Sequence, residues 1–245
     1  MIYSEVLRIR NFETDSLGNL TLFSLANYLQ DAADRHAIQL GVGMPALAEL
    51  GLSWVLHRMK ITISRWPQLA EEITIETQPS GLERVYVYRD FRVYDQQNNL
   101  LITASSTWLV FDKAKRSLTT PASHFQDIFE PYKQFSFLSR PSRKFPPLIL
   151  ENSLRAELKA RHNEIDSNAH VNNSVYFQWF LESLSTDFLA TQMCTEVEVQ
   201  FKKECTRSNT ITSISSFSDT EEVRHWLINE EGQEMASGVT RWQEY

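Results

Sequence analysis

"FETDSLGNLTLFSLANYLQDA" (residues 12–32) and "NEIDSNAHVNNSVYFQWFLES" (residues 163–183) align without a gap, and the architecture of the chain follows from that pairing. Asp166-Ser167 lies 151 positions after Asp15-Ser16, and at the same spacing Trp179 and Glu182 fall opposite Tyr28 and Asp31. A repeat of this length fixes the architecture before any single element is assigned. Each half opens with the same polar turn and then an apolar helix.

The segments after each helix are alike too. "WVLHRMKITISRW" (54–66), "EEITIETQPS" (71–80), "VYVYRDFRVYD" (85–95) and "LLITASSTWLVFD" (100–112) read as strands, rich in β-branched and aromatic residues. "TEVEVQFKKEC" (195–205), "NTITSISSFS" (209–218), "EVRHWLINEEGQ" (222–233) and "EMASGVTRWQEY" (234–245) repeat the order, with Ala236-Ser237 before Trp242 mirroring Ala104-Ser105 before Trp108. "DQQNNL" and "NEEGQE" sit where hairpin turns are expected. One helix plus several strands on short turns predicts an α+β fold, an antiparallel sheet packed on a helix, twice over. The helix stripes fit this: Leu22, Leu25, Ala26, Leu29, Ala32, Ala33 and Ala37 in the first half. In the second, Tyr176, Phe180, Leu184 and Phe188 form an i+4 row beside Val175 and Trp179.

The predicted division is a first domain over 1–120, a linker over 121–150 and a second domain over 151–245. The linker region is proline-rich and without sustained periodicity. Its phenylalanines are expected to anchor it along the surface. At 245 residues each half is long enough to bury its own core. No apolar run spans a bilayer and the first residues lack a signal layout, so a soluble cytoplasmic protein is expected. Two cysteines are too few for a disulfide framework, and no Cys/His spacing suggests a metal knuckle. A net charge of −7 disfavours nucleic acid as a partner.

The chemistry concentrates at Asp166, Asn168 and His170. An extended backbone there points all three the same way. Asn172 or Asn173 then caps the helix and leaves its positive end beside them, a setting suited to an oxyanion. His170 can move a proton near neutral pH, Asp166 can orient it, and Asn168 can hold a water or a carbonyl. The repeat supplies an internal control: Leu17 and Asn19 stand opposite Asn168 and His170, whereas Asp15 and Asp166 are shared. Asp166 therefore has a structural reading, shaping the turn, beside a catalytic one.

"DSNAHVNNSVYFQWFLES" followed by "VQFKKEC" resembles the acyl-ACP thioesterases of plants and bacteria. "GLSWVLHRMKITISRWPQLAEEITIET" and "RDFRVYDQQNNLLITASSTWLVFDKAKRSL" are similar to that family in order and spacing. The resemblance implies two tandem hot-dog folds and hydrolysis of the thioester that joins a fatty acyl chain to acyl carrier protein. It puts Asn168 and His170 in catalysis with Asp166 beside them, and Glu204-Cys205 as distant partners. Two mechanisms then compete: Cys205 as a nucleophile activated by His170, or a water activated by Glu204 and His170. In an unbroken strand Cys205 shares the face of Val197, Val199 and Phe201 while Glu204 points away; a bulge at Lys202-Lys203 would undo that parity.

The family resemblance also implies that the first half, which lost the polar set, receives the acyl chain, with Trp54, Met59 and Trp66 as candidate lining. Local positive charge for the acidic carrier protein could come from Arg140, Arg143 and Lys144, or from Lys202, Lys203 and Arg207. No metal or organic cofactor is required by this chemistry. Either a monomer or a homodimer is compatible with the tandem repeat. Three rivals remain on sequence grounds: an acyl-CoA thioesterase, a dehydratase, which lacks its "HFP" signature here, and a non-catalytic acyl-chain binder.

Overall fold

The fold was taken from a computed structural model, which describes residues 2–121, 123–129, 131, 138, 140–141, 144–145, 147–218 and 222–245. Two compact units emerge, Met1–Leu20 with Asn27–Pro141, and Thr21–Ala26 with Ser142–Tyr245.

The first unit begins with strand β1 (Tyr3–Arg8), followed by helix α1 (Leu22–Gln39), whose residues Leu22–Ala26 are grouped with the second unit, and the short helix α2 (Met44–Glu49). Strands β2 (Leu52–Ile63), β3 (Glu72–Glu83), β4 (Tyr86–Asp95), β5 (Leu100–Asp112) and β6 (Ser117–Thr119) come next, then helix α3 (Ser123–Phe129). The strands lie in the order β1-β3-β4-β5-β2, all antiparallel, with β6 on the end of β5 that β4 leaves uncovered. Every residue of the predicted apolar stripe of α1 is buried. The β4–β5 turn is held by Asp95, whose Oδ1 accepts the N–H groups of Gln97 and Asn99. Part of the linker region is folded here. Phe125 and Phe129 of α3 sit in an apolar cluster with Ala37, Val42, Leu47 and Val87, against which Trp54 and Trp108 pack. Two of the linker's phenylalanines are thus anchors, as expected; Phe135 and Phe137 lie outside the described residues.

The second unit carries β7 (Leu154–Lys159), α4 (Asn173–Leu181), α5 (Thr186–Thr191), β8 (Gln192–Phe201), β9 (Thr210–Phe217), β10 (Glu222–Asn229) and β11 (Glu234–Glu244). Its order is β8-β11-β10-β9-β7, again antiparallel throughout. Helix α4 packs on β9 and β10, with Val175, Tyr176, Phe177, Trp179 and Phe180 buried. Close approach requires Gly238, where an added Cβ would come within 2.8 Å of the Phe180 ring. The predicted i+4 row is interrupted: α4 ends at Leu181, and the Ser185 hydroxyl accepts the Phe188 N–H to start α5 as a separate helix. Phe188 then packs edge-on against Phe217 and Trp242.

One buried polar chain runs through this core. His225 contacts the Ser215 hydroxyl through Nδ1 at 2.8 Å and the Thr240 hydroxyl through Nε2 at 2.7 Å. Burial pulls its imidazole down to about 3. No helix among the described residues is long and apolar enough to cross a membrane.

Candidate active site

The candidate site grows from the segment leading into α4. A one-turn 3-10 helix over His162–Glu164 opens it, and the Glu164 carboxylate accepts the Arg161 N–H at 2.7 Å. The next residues do not form the extended run that the alternation predicted. The Asp166 N–H donates to the His170 carbonyl at 2.7 Å and the Ala169 N–H to the Asp166 carbonyl at 3.1 Å. Oδ1 of Asp166 accepts the N–H groups of Asn168 and His170 at 2.8 and 3.1 Å. Ala169 closes the turn at φ 64°, and Ile165 and Val171 bridge across it. The physical reason is local: a short acidic side chain satisfies two backbone donors at once and so favours a turn over an extended run. The carboxylate of Asp166 is therefore engaged in shaping the turn, and the side chains do not share one face of a strand.

His170 and Glu204 nonetheless meet. Nε2 of the half-buried imidazole lies 3.3 Å from Oε2 of Glu204. Glu204 reaches this position because β8 ends at Phe201 and the chain then bulges. The N–H groups of Lys202 and Lys203 both donate to the Met235 carbonyl, at 2.9 and 3.0 Å, so two residues oppose one and the strand's parity is broken. Beyond the bulge Glu204 is exposed and Cys205 buried. The carboxamide of Asn168 is exposed and makes no hydrogen bond among the described residues.

Cys205 is placed differently from its neighbour. Its carbonyl accepts the Val171 N–H at 2.8 Å, and its own N–H donates to the Tyr176 hydroxyl at 2.9 Å. Burial pushes its thiol up to about 11, and the nearby Glu230 adds to the rise against the lowering effect of the Tyr176 hydroxyl. A thiol so held is protonated at neutral pH, whereas a nucleophilic cysteine works as the thiolate. The imidazole it would need is turned to Glu204.

Asn172 caps α4, its side chain accepting the Ser174 N–H at 3.0 Å. With the Val175 N–H taken by the Asn172 carbonyl, Asn173 keeps, among the described residues, an uncommitted donor in the first turn. The positive end expected beside the site is thus present but largely self-capped. Among the described residues no group of three His, Cys, Asp or Glu side chains is placed to hold a metal ion.

The remaining sequence candidates scatter. Arg140 is bonded to Glu83 at 3.4 Å and lies 3.8 Å over the Tyr88 ring, Lys202 pairs with Glu234 at 2.6 Å, and Arg143 is outside the described residues. Lys144, Lys203 and Arg207 are exposed. Met59 and Trp66 are buried core of the first unit, and the half-buried Trp54 donates its indole N–H to the Val42 carbonyl at 2.8 Å. The Tyr176 hydroxyl, which touches both sides of Glu204, is invisible to sequence reasoning, because a tyrosine in an apolar helix row carries no sign of what its hydroxyl reaches.

Known proteins are similar to this one over nearly the whole chain. An acyl-[acyl-carrier-protein] hydrolase of Cuphea viscosissima is 26% identical over 99% of this chain and 63% of its own length. A palmitoyl-acyl carrier protein thioesterase of Gossypium hirsutum is 25% identical over 99% of the chain and 64% of its own length. The chain thus spans just under two thirds of these chloroplastic relatives. Among solved structures, the 12:0-ACP thioesterase from Umbellularia californica superposes with a TM-score of 0.90 at 20% identity, covering 100% of this chain and 98% of that one. An acyl-ACP thioesterase from Bacteroides thetaiotaomicron gives 0.85 at 22% identity, covering 99% and 98%. At such identities these two establish the fold, the tandem hot-dog arrangement expected. Residues 1–132 match the acyl-ACP thioesterase N-terminal domain and residues 149–244 its C-terminal domain, and the chain therefore belongs to the acyl-ACP thioesterase family.

Proposed function

We propose that this protein releases free fatty acid from acyl-acyl carrier protein by direct attack of water, with His170 and Glu204 as the activating pair. The observation that carries the mechanism is the 3.3 Å contact between His170 and Glu204 while the adjacent Cys205 thiol is buried and protonated. In the reaction water attacks the thioester carbonyl, and the His170–Glu204 pair takes one of its protons. The tetrahedral oxyanion is met by the uncommitted Asn168 carboxamide. Collapse breaks the C–S bond, and the pair returns the proton to the leaving thiolate, giving one carboxylic acid and one thiol. Asp166 acts through the turn, holding the His170 backbone. Family membership and the activities of the relatives support the substrate class. The exposed Lys203 and Arg207, on either side of Glu204-Cys205, suit an acidic carrier protein. The first unit, with its apolar cluster and no polar set, is assigned the acyl chain.

The test is release of free fatty acid from a panel of acyl carrier protein thioesters of different chain lengths, with the matching acyl-CoAs in parallel. Turnover of the carrier-protein panel with much weaker CoA activity is expected. Activity on CoA alone replaces the substrate class, and hydrolysis of neither leaves a non-catalytic binder.

A further inference from the structure

The segment carrying Glu204 is held by one side chain at both of its ends. The Tyr176 hydroxyl accepts the Cys205 N–H at 2.9 Å and donates to the Lys203 carbonyl at 3.2 Å. Both capacities of that hydroxyl are thereby spent on the residues flanking the carboxylate. The ring itself is locked, 2% exposed, packed edge-on against Phe201 at 5.4 Å and tilted against Trp179 at 5.7 Å. Burial raises the phenol well above its ordinary range, so it stays protonated and able to donate. A third tie, from the Val171 N–H to the Cys205 carbonyl at 2.8 Å, joins the same segment to the residue after His170.

The first half of the repeat offers a comparison. There Leu20, the equivalent of Val171, donates its N–H to the Pro67 carbonyl at 2.8 Å, which makes Pro67 the equivalent of Cys205 and Trp66 that of Glu204. Leu25 stands opposite Tyr176 in the repeat. Leucine has no hydroxyl and proline no N–H, so both partners of the contact are missing in the half where the carboxylate is missing. The tie between the two backbone segments is kept in both halves. A hydroxyl needed only to pack the helix on the sheet would have no reason to depart together with the acid.

We infer that Tyr176 is a positioning residue for hydrolysis: its hydroxyl fixes the peptide on each side of Glu204 and so aims the carboxylate at His170 Nε2. The role rests on the His170–Glu204 reading proposed above. Unheld, an exposed glutamate on a loop samples several rotamers, and only a fraction of the molecules keeps the pair assembled.

The experiment compares Tyr176→Phe in the native and in the Glu204→Gln background, using the full chain and an acyl carrier protein thioester that the native protein hydrolyses. Tyr176→Phe is expected to lower kcat about tenfold with KM changed less than about twofold, and to have no further effect on kcat once Glu204 is glutamine. Equal fold-losses in both backgrounds, or an unchanged kcat, overturn the inference. A second readout is independent of turnover: the 15N resonance of His170 Nε2 should move on Glu204→Gln in the native protein and stay put in the Tyr176→Phe protein. The same movement in both overturns the positioning role. If the native protein hydrolyses no thioester, the proposed function falls and the resonance pair alone decides the role of Tyr176. Should the phenylalanine variant not fold, 3,5-difluorotyrosine at 176 keeps the ring and weakens the hydroxyl as an acceptor; a lower kcat at constant KM supports the inference and an unchanged one refutes it.

Discussion

The turns at residues 10–20 and 161–171 have nearly the same backbone and different chemistry. Glu13 accepts the Arg10 N–H at 2.7 Å as Glu164 accepts that of Arg161 at 2.7 Å. Asp15 Oδ1 accepts the N–H groups of Leu17 and Asn19, both at 2.9 Å, as Asp166 does those of Asn168 and His170. Against that constant frame, Leu17 replaces Asn168, Asn19 replaces His170, Trp66 replaces Glu204 and Leu25 replaces Tyr176. In the first unit Asn19 instead takes a hydrogen bond from Gln68. The lesson is that the acid of this turn is a folding device which both halves need, whereas the amide, the imidazole and the distant carboxylate are additions to one of them.

The strongest way to break this contrast is at the additions. His170→Ala and Glu204→Gln should each remove about two decades of acyl-thioester hydrolysis, the usual scale for a general acid or base, with the fold intact by circular dichroism. Near-normal rates from either would move the chemistry away from this turn.

A second contrast lies deeper. Asn229 and Asp95 hold equivalent hairpin turns, each accepting N–H groups two and four residues on. Four positions before them, His225 stands where the first unit has Phe91, both buried. The folded value of His225, about 3, is below its ordinary 6.5, so the unfolded chain takes up the proton first. Stability is therefore complete above about pH 6.5 and is lost on acidification from there towards 3, at about 1.4 kcal/mol per pH unit. Urea unfolding at pH 7 and pH 5 checks this, and His225→Phe should unfold more easily at pH 7 yet lose less on acidification. An equally steep acid loss in that variant would assign it to other groups.

The shared acids give a matched pair. Asp15→Ala and Asp166→Ala each remove one acceptor of two backbone N–H groups, so each should cost about 1–2 kcal/mol, or several degrees of Tm. Only Asp166→Ala should also lower hydrolysis, by about tenfold, because the turn it holds carries His170. Equal rates in the two variants would show that turn geometry is irrelevant to the chemistry.

How much of this is legible in the sequence depends on whether a signal is local or cooperative. The repeat is visible because Asp15 and Asp166 act on neighbours two and four residues away, within the same short stretch. The first strand of each unit, "YSEVLR" and "LRAELK", is not, since an edge strand that alternates half-buried and exposed residues carries few of the apolar residues that mark a strand. The break between α4 and α5 is hidden by an apolar row that continues through it to Phe188. Choosing between Glu204 and Cys205 is beyond parity because the choice depends on two N–H groups converging on Met235, a residue 32 positions from Lys203. That convergence is a property of the sheet.

Cys205 and Pro67 sharpen the comparison further, as equivalent residues of which only one carries a thiol. Since that thiol is buried and pushed up to about 11, Cys205→Ala should keep hydrolysis within about threefold while losing about 1 kcal/mol from the small cavity. A folded Cys205→Ala protein without activity would reinstate the covalent mechanism.

The smallest expected effect is at a glycine-to-alanine difference within the shared frame. Gly18 occupies the left-handed position of the first turn at φ 82°, and Ala169 occupies it in the second at φ 64°. A Cβ in that region costs about 1 kcal/mol, while glycine frees the unfolded chain by nearly as much, so Ala169→Gly should leave stability within about 0.5 kcal/mol. The instructive quantity is the rate. If the alanine is present only because the turn tolerates it, hydrolysis is unchanged. If its stiffness helps to hold Asn168 and His170 on either side of it, kcat falls by about twofold to threefold at constant Tm. Strain would then belong with the imidazole and the carboxylate among the things the second half acquired and the first half lacks.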